Sequence, residues 1–224
     1  MKLCYNKRFK RDSQRVAFLL CVGFCGYGVM QQVGSGVGCP LSGRYVTGKF
    51  SGMKILSDRL MMSPISADDW TLFYELHTNP AVISLCFDQP SVLEIESKFQ
   101  SRLEHWTPDS EHWLCLVISE LKTGHKVGIT GFCLRNGVAE VGFMLLPSFY
   151  GNGYGTESLQ ALIDYSAKHF GLEGFMAVVT EGNIGSEKVL AKSGFTLHRI
   201  VPDAYEIGGK RYADHIYIMG RIVT

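Results

Sequence analysis

Apolar positions along the chain switch between alternating and helical spacing, and the switches divide residues 53–224 into strands and helices. The first strand is predicted at Ser57–Ser66. A helix begins at Ala67, where two aspartates follow in the first turn, and it is broken at Pro80. A second helix is predicted over Val92–Trp106, because its large apolar residues recur every three or four positions.

The middle and the C-terminal half of the chain differ in their pattern. Three strands are predicted in the middle, at Trp113–Ser119, Lys126–Leu134 and Ala139–Leu146, and the turn Asn136-Gly137 indicates that they run antiparallel. The C-terminal half alternates helix and strand before a closing strand pair: helix Thr156–Phe170, strand Gly174–Val179, helix Asn183–Ser193, and strands Phe195–Ile200 and Arg211–Met219. The pattern predicts an α/β domain with a mixed, mostly antiparallel sheet flanked by helices.

Residues 1–52 do not continue this pattern, and we expect them to lie outside the domain that spans residues 53–224. A basic stretch precedes the apolar run Val16–Met30, and a glycine-rich stretch without core pattern follows it. The apolar run is shorter than the ~20 residues that span a bilayer. Three interpretations stay open: a signal peptide, a membrane anchor, or translation that begins at Met53. We favour the last, because an orderly domain begins there.

The net charge changes sign at the same boundary, between residues 52 and 53. Residues 1–52 contain eight Lys and Arg against one Asp, a net +7, which leaves −6 for the rest of a chain whose total is +1. An acidic domain disfavours nucleic acid as a partner and attracts cationic substrates such as amines. Cys115 and Cys133 lie alone in apolar runs, which suits reduced thiols in a cytoplasmic protein. No Cys or His set has zinc spacing, and we expect no metal.

A glycine-dense loop is the strongest candidate for binding chemistry. An apolar run ends at Leu146-Pro147, the loop 151–155 follows, and a helix begins after it. Small residues before a helix N-terminus let backbone N–H groups converge on an anion. No Lys-Ser/Thr pair follows the glycines, which excludes a Walker phosphate loop, and Thr156 stands where a dinucleotide fingerprint has its third glycine. A turn that only joins strand to helix stays open as an alternative.

The segment Met53–Met219 resembles the GNAT superfamily of acyl-CoA N-acyltransferases, most closely its RimJ/RimL-type branch. Three blocks carry the resemblance in the family's order: SDRLMMSPISADDW, EVGFMLLPSFYGNGYGTESLQALIDYS and EGNIGSEKVLAKSGF. The last is similar to the family's Asn-x-x-Ser…Lys-x-Gly-Phe signature. The chain departs from the family at Tyr150, where Gln or Arg usually opens the loop.

The resemblance implies an enzyme that transfers the acetyl group of acetyl-CoA directly to a primary amine, on a small molecule or a protein N-terminus. A non-catalytic acyl-CoA-binding or sensory module on the same fold is the alternative. We expect a cytoplasmic monomer or homodimer, without a membrane partner for the main domain. The implied cofactor contacts are Phe143, Met144, Leu145, Leu146, Tyr150, Gly151, Asn152, Gly153, Tyr154, Gly155, Thr156, Asn183 and Ser186. A backbone N–H near Met144 or Leu145 would polarise the thioester carbonyl.

Two residues are candidates for proton transfer. By resemblance, Ser186 would protonate the departing thiolate, although a helix cap or ordinary helix solvation stays open for it. Glu140 shares a strand face with Met144 and could serve as general base, with a solvated edge carboxylate as the alternative. Asp88 and Glu157 are weaker candidates for the base. The acceptor pocket is expected from three segments: Trp70–His77, Ser84–Pro90 and Ala204–His215.

Overall fold

The structure, a computed structural model, describes residues 52–221. The interpretations given for residues 1–51 lie outside the described residues. Within residues 52–221, eight strands form a single sheet: β1 (Ile55–Leu56), β2 (Leu60–Pro64), β3 (Leu114–Glu120), β4 (Lys126–Arg135), β5 (Val138–Leu145), β6 (Gly174–Thr180), β7 (Thr196–Ile207) and β8 (Lys210–Gly220). The helices of the same region are α1 (Trp70–Thr78), α2 (Pro80–Ile83), α3 (Val92–Leu103), α4 (Tyr154–Phe170) and α5 (Ile184–Lys192).

The strand order in the sheet is β1-β2-β3-β4-β5-β6-β8-β7. Every neighbouring pair is antiparallel except β5 with β6, which run parallel. The prediction of a mixed, mostly antiparallel sheet is therefore confirmed. The turn between β4 and β5 has left-handed backbone at both central residues, with φ of 51° at Asn136 and 79° at Gly137, as a two-residue hairpin requires.

The parallel pair β5–β6 is short, and this positions the candidate site. The strands pair only at Ala139 with Phe175 and at Glu140 with Met176, and then they part. By contrast, β4 and β5 pair along the whole length of β5. Beyond Glu140, one edge of β5 therefore has no strand beside it among the described residues.

The register of β4 and β5 decides which backbone groups face that opening. The Leu146 N–H donates to the Val127 carbonyl of β4 at 2.9 Å. Because backbone direction alternates along a strand, the Met144 N–H also points toward β4, and those of Phe143 and Leu145 point toward the opening.

Helices pack on both faces of the sheet. On one face, α4 and α5 bury Leu159, Leu162 and Leu190 against Val141 and other residues of the sheet. On the other face α1 to α3 bury an apolar cluster that includes Phe73, Phe87, Ile95, Ile129 and Met144. Full burial of one such side chain contributes about 1.5–3 kcal/mol to folding. The sheet therefore separates the molecule into two faces with different surroundings.

Several elements differ from the prediction: β1 was not predicted, the helix predicted from Ala67 begins at Trp70 after a 3₁₀ turn, and the helix predicted to Trp106 ends at Leu103. The helix break at Asn79-Pro80 is confirmed, but Asn79 also starts α2, because its Oδ1 accepts the Ala81 N–H at 3.0 Å and Pro80 occupies the first helical position. The strand predicted at Phe195–Ile200 continues to Ile207 as β7, through an irregular stretch in which Asp203 has φ of 49°. Within residues 52–221, no helix is long and apolar enough to cross a membrane.

We expect Gly131→Ala on β4 to destabilise the fold by about 3 kcal/mol, because a Cβ there would lie 1.8 Å from the Leu114 carbonyl oxygen of β3. Neither backbone can move without disrupting the sheet. The measurement is the free energy of unfolding in urea. Gly52→Ala is the control, since no described atom lies within 4 Å of its added Cβ. Equal stability of the two variants would contradict the close strand packing.

Candidate active site

A cleft of about 420 Å³ opens where β5 and β6 part. One wall is β5 with the glycine loop, and the others are α2 and one side of α5 along its length. The predicted contacts that line it are Phe143, Met144, Leu145, Tyr150, Gly151, Gly153, Tyr154, Gly155, Thr156, Asn183 and Ser186. Two further predicted contacts lie outside its lining. Leu146 bonds to β4 through its backbone, and the side-chain amide of Asn152 donates to the Phe149 carbonyl at 3.3 Å.

The glycine loop presents backbone rather than side chains to the cleft. Gly151 and Gly153 both have φ of 79°, a conformation that side chains oppose. Gly153 is the N-cap of α4 and provides no capping side chain. The first helical bond runs from the Glu157 N–H to the Gly153 carbonyl at 3.1 Å, so the amides between them have no partner within the helix. This arrangement suits an anion at the N-terminus of α4.

Close packing of α4 on α5 brings the second motif beside this loop. A Cβ added to Gly155 would lie 3.2 Å from Cγ2 of Val189 on α5. The Oδ1 of Asn183 accepts the Ser186 N–H at 3.2 Å, so Asn183 is the cap of α5 and also lines the cleft. The alternative that Ser186 is the cap is therefore wrong. Ser186 is 7% exposed and lies on the cleft.

The cleft is electropositive within an acidic domain. Its described lining includes Lys188 and Lys192 of α5 and contains no Asp or Glu. Together with the uncapped amides of α4, the two ammonium groups favour a ligand that carries several negative charges. The sequence analysis assigned no binding role to either lysine, although both lie in the block that resembles the family signature and Lys192 is the lysine of its Lys-x-Gly-Phe part.

Tyr150 lies at the rim between the glycine loop and α2. Its hydroxyl donates to the Ala81 carbonyl at 3.5 Å, and the residue is half-exposed. Burial raises the pKa of the phenol, so it remains neutral at physiological pH. Tyr150 therefore provides contact area and a polar hydroxyl where a charged Arg would provide a cation. The sequence did not predict α2 as the opposite wall.

Glu140 is completely buried on β5, just below the point where the strands part. Its Oε2 accepts a hydrogen bond from Arg135 Nε at 2.9 Å, and its Oε1 has no partner among the described residues. Burial raises the pKa of this carboxyl to about 7, although Arg135 opposes the shift. The alternative of a solvated carboxylate is wrong. The structure places Glu140 outside the lining of the cleft, with glycine at position 142 as the next residue on its face of the strand.

A second buried carboxylate is Asp214 on β8, which the sequence did not single out but which lies in the segment Ala204–His215 expected at the acceptor pocket. It is 4% exposed, lies opposite Thr180 of β6, and has one oxygen, Oδ1, without a partner among the described residues. Burial raises its pKa to about 7. Strand alternation puts Asp214 beside Val178 and Ile216 on the face that also includes Glu140. No local sequence pattern predicts that Asp214 is buried, because its burial comes from neighbouring strands.

The weaker candidates for the base have other partners. Asp88 accepts the Gly208 N–H at 2.8 Å, which joins two of the segments expected at the acceptor pocket. Glu157 is bonded to residues of the β1–β2 turn. Burial raises the pKa of the Cys115 thiol to about 12 and also raises that of Cys133, so neither is an activated nucleophile. Among the described residues, no group of His, Cys, Asp and Glu could hold a metal ion.

Comparison with known proteins assigns a family to this fold and cleft. YoaA of Bacillus subtilis (strain 168), an uncharacterized N-acetyltransferase, is 26% identical over 103 residues, which are 45% of this chain and 58% of YoaA. YnaD, an uncharacterized N-acetyltransferase of the same strain, is 22% identical over 167 residues, 74% of this chain and 95% of YnaD. Among solved structures, RimL, a ribosomal-protein alpha-N-acetyltransferase in complex with coenzyme A, superposes with a TM-score of 0.66 at 22% identity, over 75% of this chain and 98% of RimL. Residues 59–196, more than half of the chain, match the family described as acetyltransferase (GNAT) domain. The chain belongs to the GNAT acetyltransferase family.

Proposed function

We propose that this chain transfers the acetyl group of acetyl-CoA directly to a primary amine of a small molecule or a protein N-terminus. The observation that carries the proposal is an electropositive cleft placed where β5 has an unpaired backbone edge. Such a cleft fits a ligand with a polyanionic end and an amide-bearing arm, which is the chemistry of CoA. The coenzyme in the RimL complex supports this choice.

Different regions of the cleft would bind different parts of acetyl-CoA. The uncapped amides of α4, from Gly153 to Thr156, would hold the pyrophosphate. Lys188 and Lys192 would lie near the phosphates of the nucleotide end. The open edge of β5 would hydrogen-bond the amides of the pantetheine arm, since buried backbone groups need partners.

The backbone of β5 also supplies the oxyanion donor. Of the two candidate residues, Met144 directs its N–H toward β4, so we assign the role to the Leu145 N–H. A donor aimed at the oxygen that becomes negative stabilises the tetrahedral intermediate, and loss of one such donor costs about 3 kcal/mol.

Three proton transfers complete the reaction. Glu140, directly or through water, takes a proton from the ammonium group, and the neutral amine attacks the thioester carbonyl. The tetrahedral intermediate then collapses and the C–S bond breaks. The Ser186 hydroxyl gives its proton to the CoA thiolate, and the second proton that the attacking nitrogen loses returns to the Ser186 oxygen, directly or through water. The Glu140 carboxyl has a pKa of about 7, which suits a general base at neutral pH. The glycine at position 142 places no side chain between Glu140 and Met144, which shares the strand face of Glu140 and lines the cleft.

Charge on the other face of the sheet favours a cationic acceptor. Glu140 and Asp214 both have a carboxylate oxygen without a described partner, and both lie on the face opposite α4 and α5. An ammonium group that approaches from this face would donate a hydrogen bond to such an oxygen and be held near Glu140, the proposed general base. The bond from Gly208 to Asp88 brings the β7–β8 turn to the same side as the loop after α2.

The alternative function is a non-catalytic acyl-CoA-binding module. Tyr150 at the opening of the loop and the position of Glu140 outside the cleft lining favour it. Release of free thiol from acetyl-CoA, measured with a panel of polyamines, amino acids and N-terminal peptides, separates the two. Saturable thiol release with at least one amine supports the enzyme. CoA binding without thiol release supports the module, and a chain that does not bind CoA contradicts both.

We expect Ser186→Ala to lower kcat about 100-fold, because the thiolate would depart without a proton donor. The KM for acetyl-CoA should change little, since the cap of α5 is the Asn183 side chain. Ser193→Ala is the matched control: Ser193 is also buried on α5, at its C-terminal end, and has no described partner for its hydroxyl. Equal kcat values for the two variants would exclude Ser186 as the proton donor.

The pH dependence of kcat/KM tests Glu140. The base is active when deprotonated, so kcat/KM should fall as pH decreases through about 7. Glu140→Gln should lower kcat/KM about 100-fold and abolish that limb of the profile. Glu96→Gln, at an exposed position of α3 outside the expected acceptor segments, is the control and should retain the profile. An unchanged limb in Glu140→Gln would assign the titration to another group.

A further inference from the structure

Glu157, in the first turn of α4, has more partners than its place in the helix requires. Its Oε1 accepts hydrogen bonds from the Ser57 hydroxyl at 2.7 Å and from the Arg59 N–H at 2.8 Å. Its Oε2 lies 2.7 Å from Nε and 2.5 Å from Nη2 of Arg59. The helix dipole alone accounts for an acid at this position, but not for this saturated set of bonds to the β1–β2 turn.

Arg59 also contacts the glycine loop itself. Its guanidinium carbon lies 4.7 Å from the centre of the Tyr154 ring, which it covers. A Cβ added to Gly153 would lie 3.5 Å from Arg59 Nη2, so the guanidinium packs against the backbone at the N-cap of α4. On its other side, the Tyr154 hydroxyl donates to Glu120 Oε1 of β3 at 2.5 Å. The start of α4 is thus held from the β1–β2 turn and from β3.

We propose that Arg59 and Glu157 are positioning residues, which clamp the glycine loop in the conformation that binds the CoA pyrophosphate. The proposal rests on the proposed use of acetyl-CoA. Two left-handed glycines give the loop backbone freedom that binding would have to remove. A clamp that removes this freedom before binding lowers the entropic cost of binding.

The half-exposed guanidinium also suggests a direct role, in which Arg59 contacts a phosphate of the ligand. The two roles predict different behaviour for Glu157. If Arg59 binds phosphate directly, loss of the Glu157 carboxylate frees the guanidinium, and affinity for CoA stays equal or rises. If the pair is a clamp, loss of either side chain weakens binding, and loss of both is no worse than loss of one.

Calorimetric titration with CoA tests the clamp in Arg59→Gln, Glu157→Gln and the double variant. We expect each to bind CoA about tenfold more weakly than the wild type. Arg59→Lys should remain weakened, because Lys keeps the charge but lacks the planar fork that bridges Glu157 and the loop. Dephospho-CoA, which retains the pyrophosphate but lacks the 3′-phosphate, should show the same loss. Arg211→Gln is the matched control, since it breaks the pair with Glu206 at 3.8 Å on the β7–β8 hairpin.

Amide hydrogen exchange provides a readout that does not depend on the ligand. Peptides that cover residues 150–158 should exchange faster in Arg59→Gln and Glu157→Gln, and at the wild-type rate in Arg211→Gln. Unchanged exchange, additive losses of affinity, or wild-type affinity in Glu157→Gln would each overturn the clamp. A wild-type chain that does not bind CoA overturns the proposed function instead, and the exchange experiment still decides whether the pair holds the loop.

Discussion

The pairing of β5 with β6 stops after two residue pairs, and the candidate site depends on that interruption. If the strands continued side by side, the N–H groups of Phe143 and Leu145 would be used within the sheet and no cleft would open. Because buried backbone groups need partners, the free edge of β5 favours a ligand that can hydrogen-bond like a strand. The glycine loop follows directly at the end of that edge, so a ligand lying along β5 meets the N-terminus of α4.

The sheet also separates two kinds of charge. On one side, Lys188, Lys192 and the uncapped amides of α4 make the cleft positive. On the other face, Glu140 and Asp214 are buried carboxylates, each with an oxygen that lacks a described partner. In the proposed reaction, a polyanionic donor and a cationic acceptor would approach from opposite faces. The two substrates would meet where β5 and β6 separate. The anionic donor would be attracted to the positive cleft, and the cationic acceptor to the face with the buried carboxylates.

Local sequence signals predicted the features whose backbone conformation depends on only a few neighbouring residues. Asn136-Gly137 indicated the hairpin because both positions need left-handed backbone, and Asn183 indicated a helix start because its side chain caps the next turn. Features that depend on distant contacts were not predictable. Arg59 and Glu157 are 98 residues apart, and their pairing appears only when β2 lies beside α4. The burial of Glu140 also depends on distant contacts. From the sequence alone, an acidic residue on a strand is expected to be solvated, and only the neighbouring elements of the fold bury it.

The clamp gives a physical account of why Tyr150 can stand where related proteins usually have Gln or Arg. If the loop is held from behind by Arg59 and Glu157, its backbone conformation does not depend on the side chain that opens it. Binding through backbone amides then tolerates substitution at position 150, because a phenol neither blocks the amides nor adds charge to the cleft. Tyr150 is instead directed toward Ala81 of α2, on the opposite wall. On this proposal, the opening residue of the loop is free to contribute to the shape of the cleft, while the anion site is maintained by residues outside it.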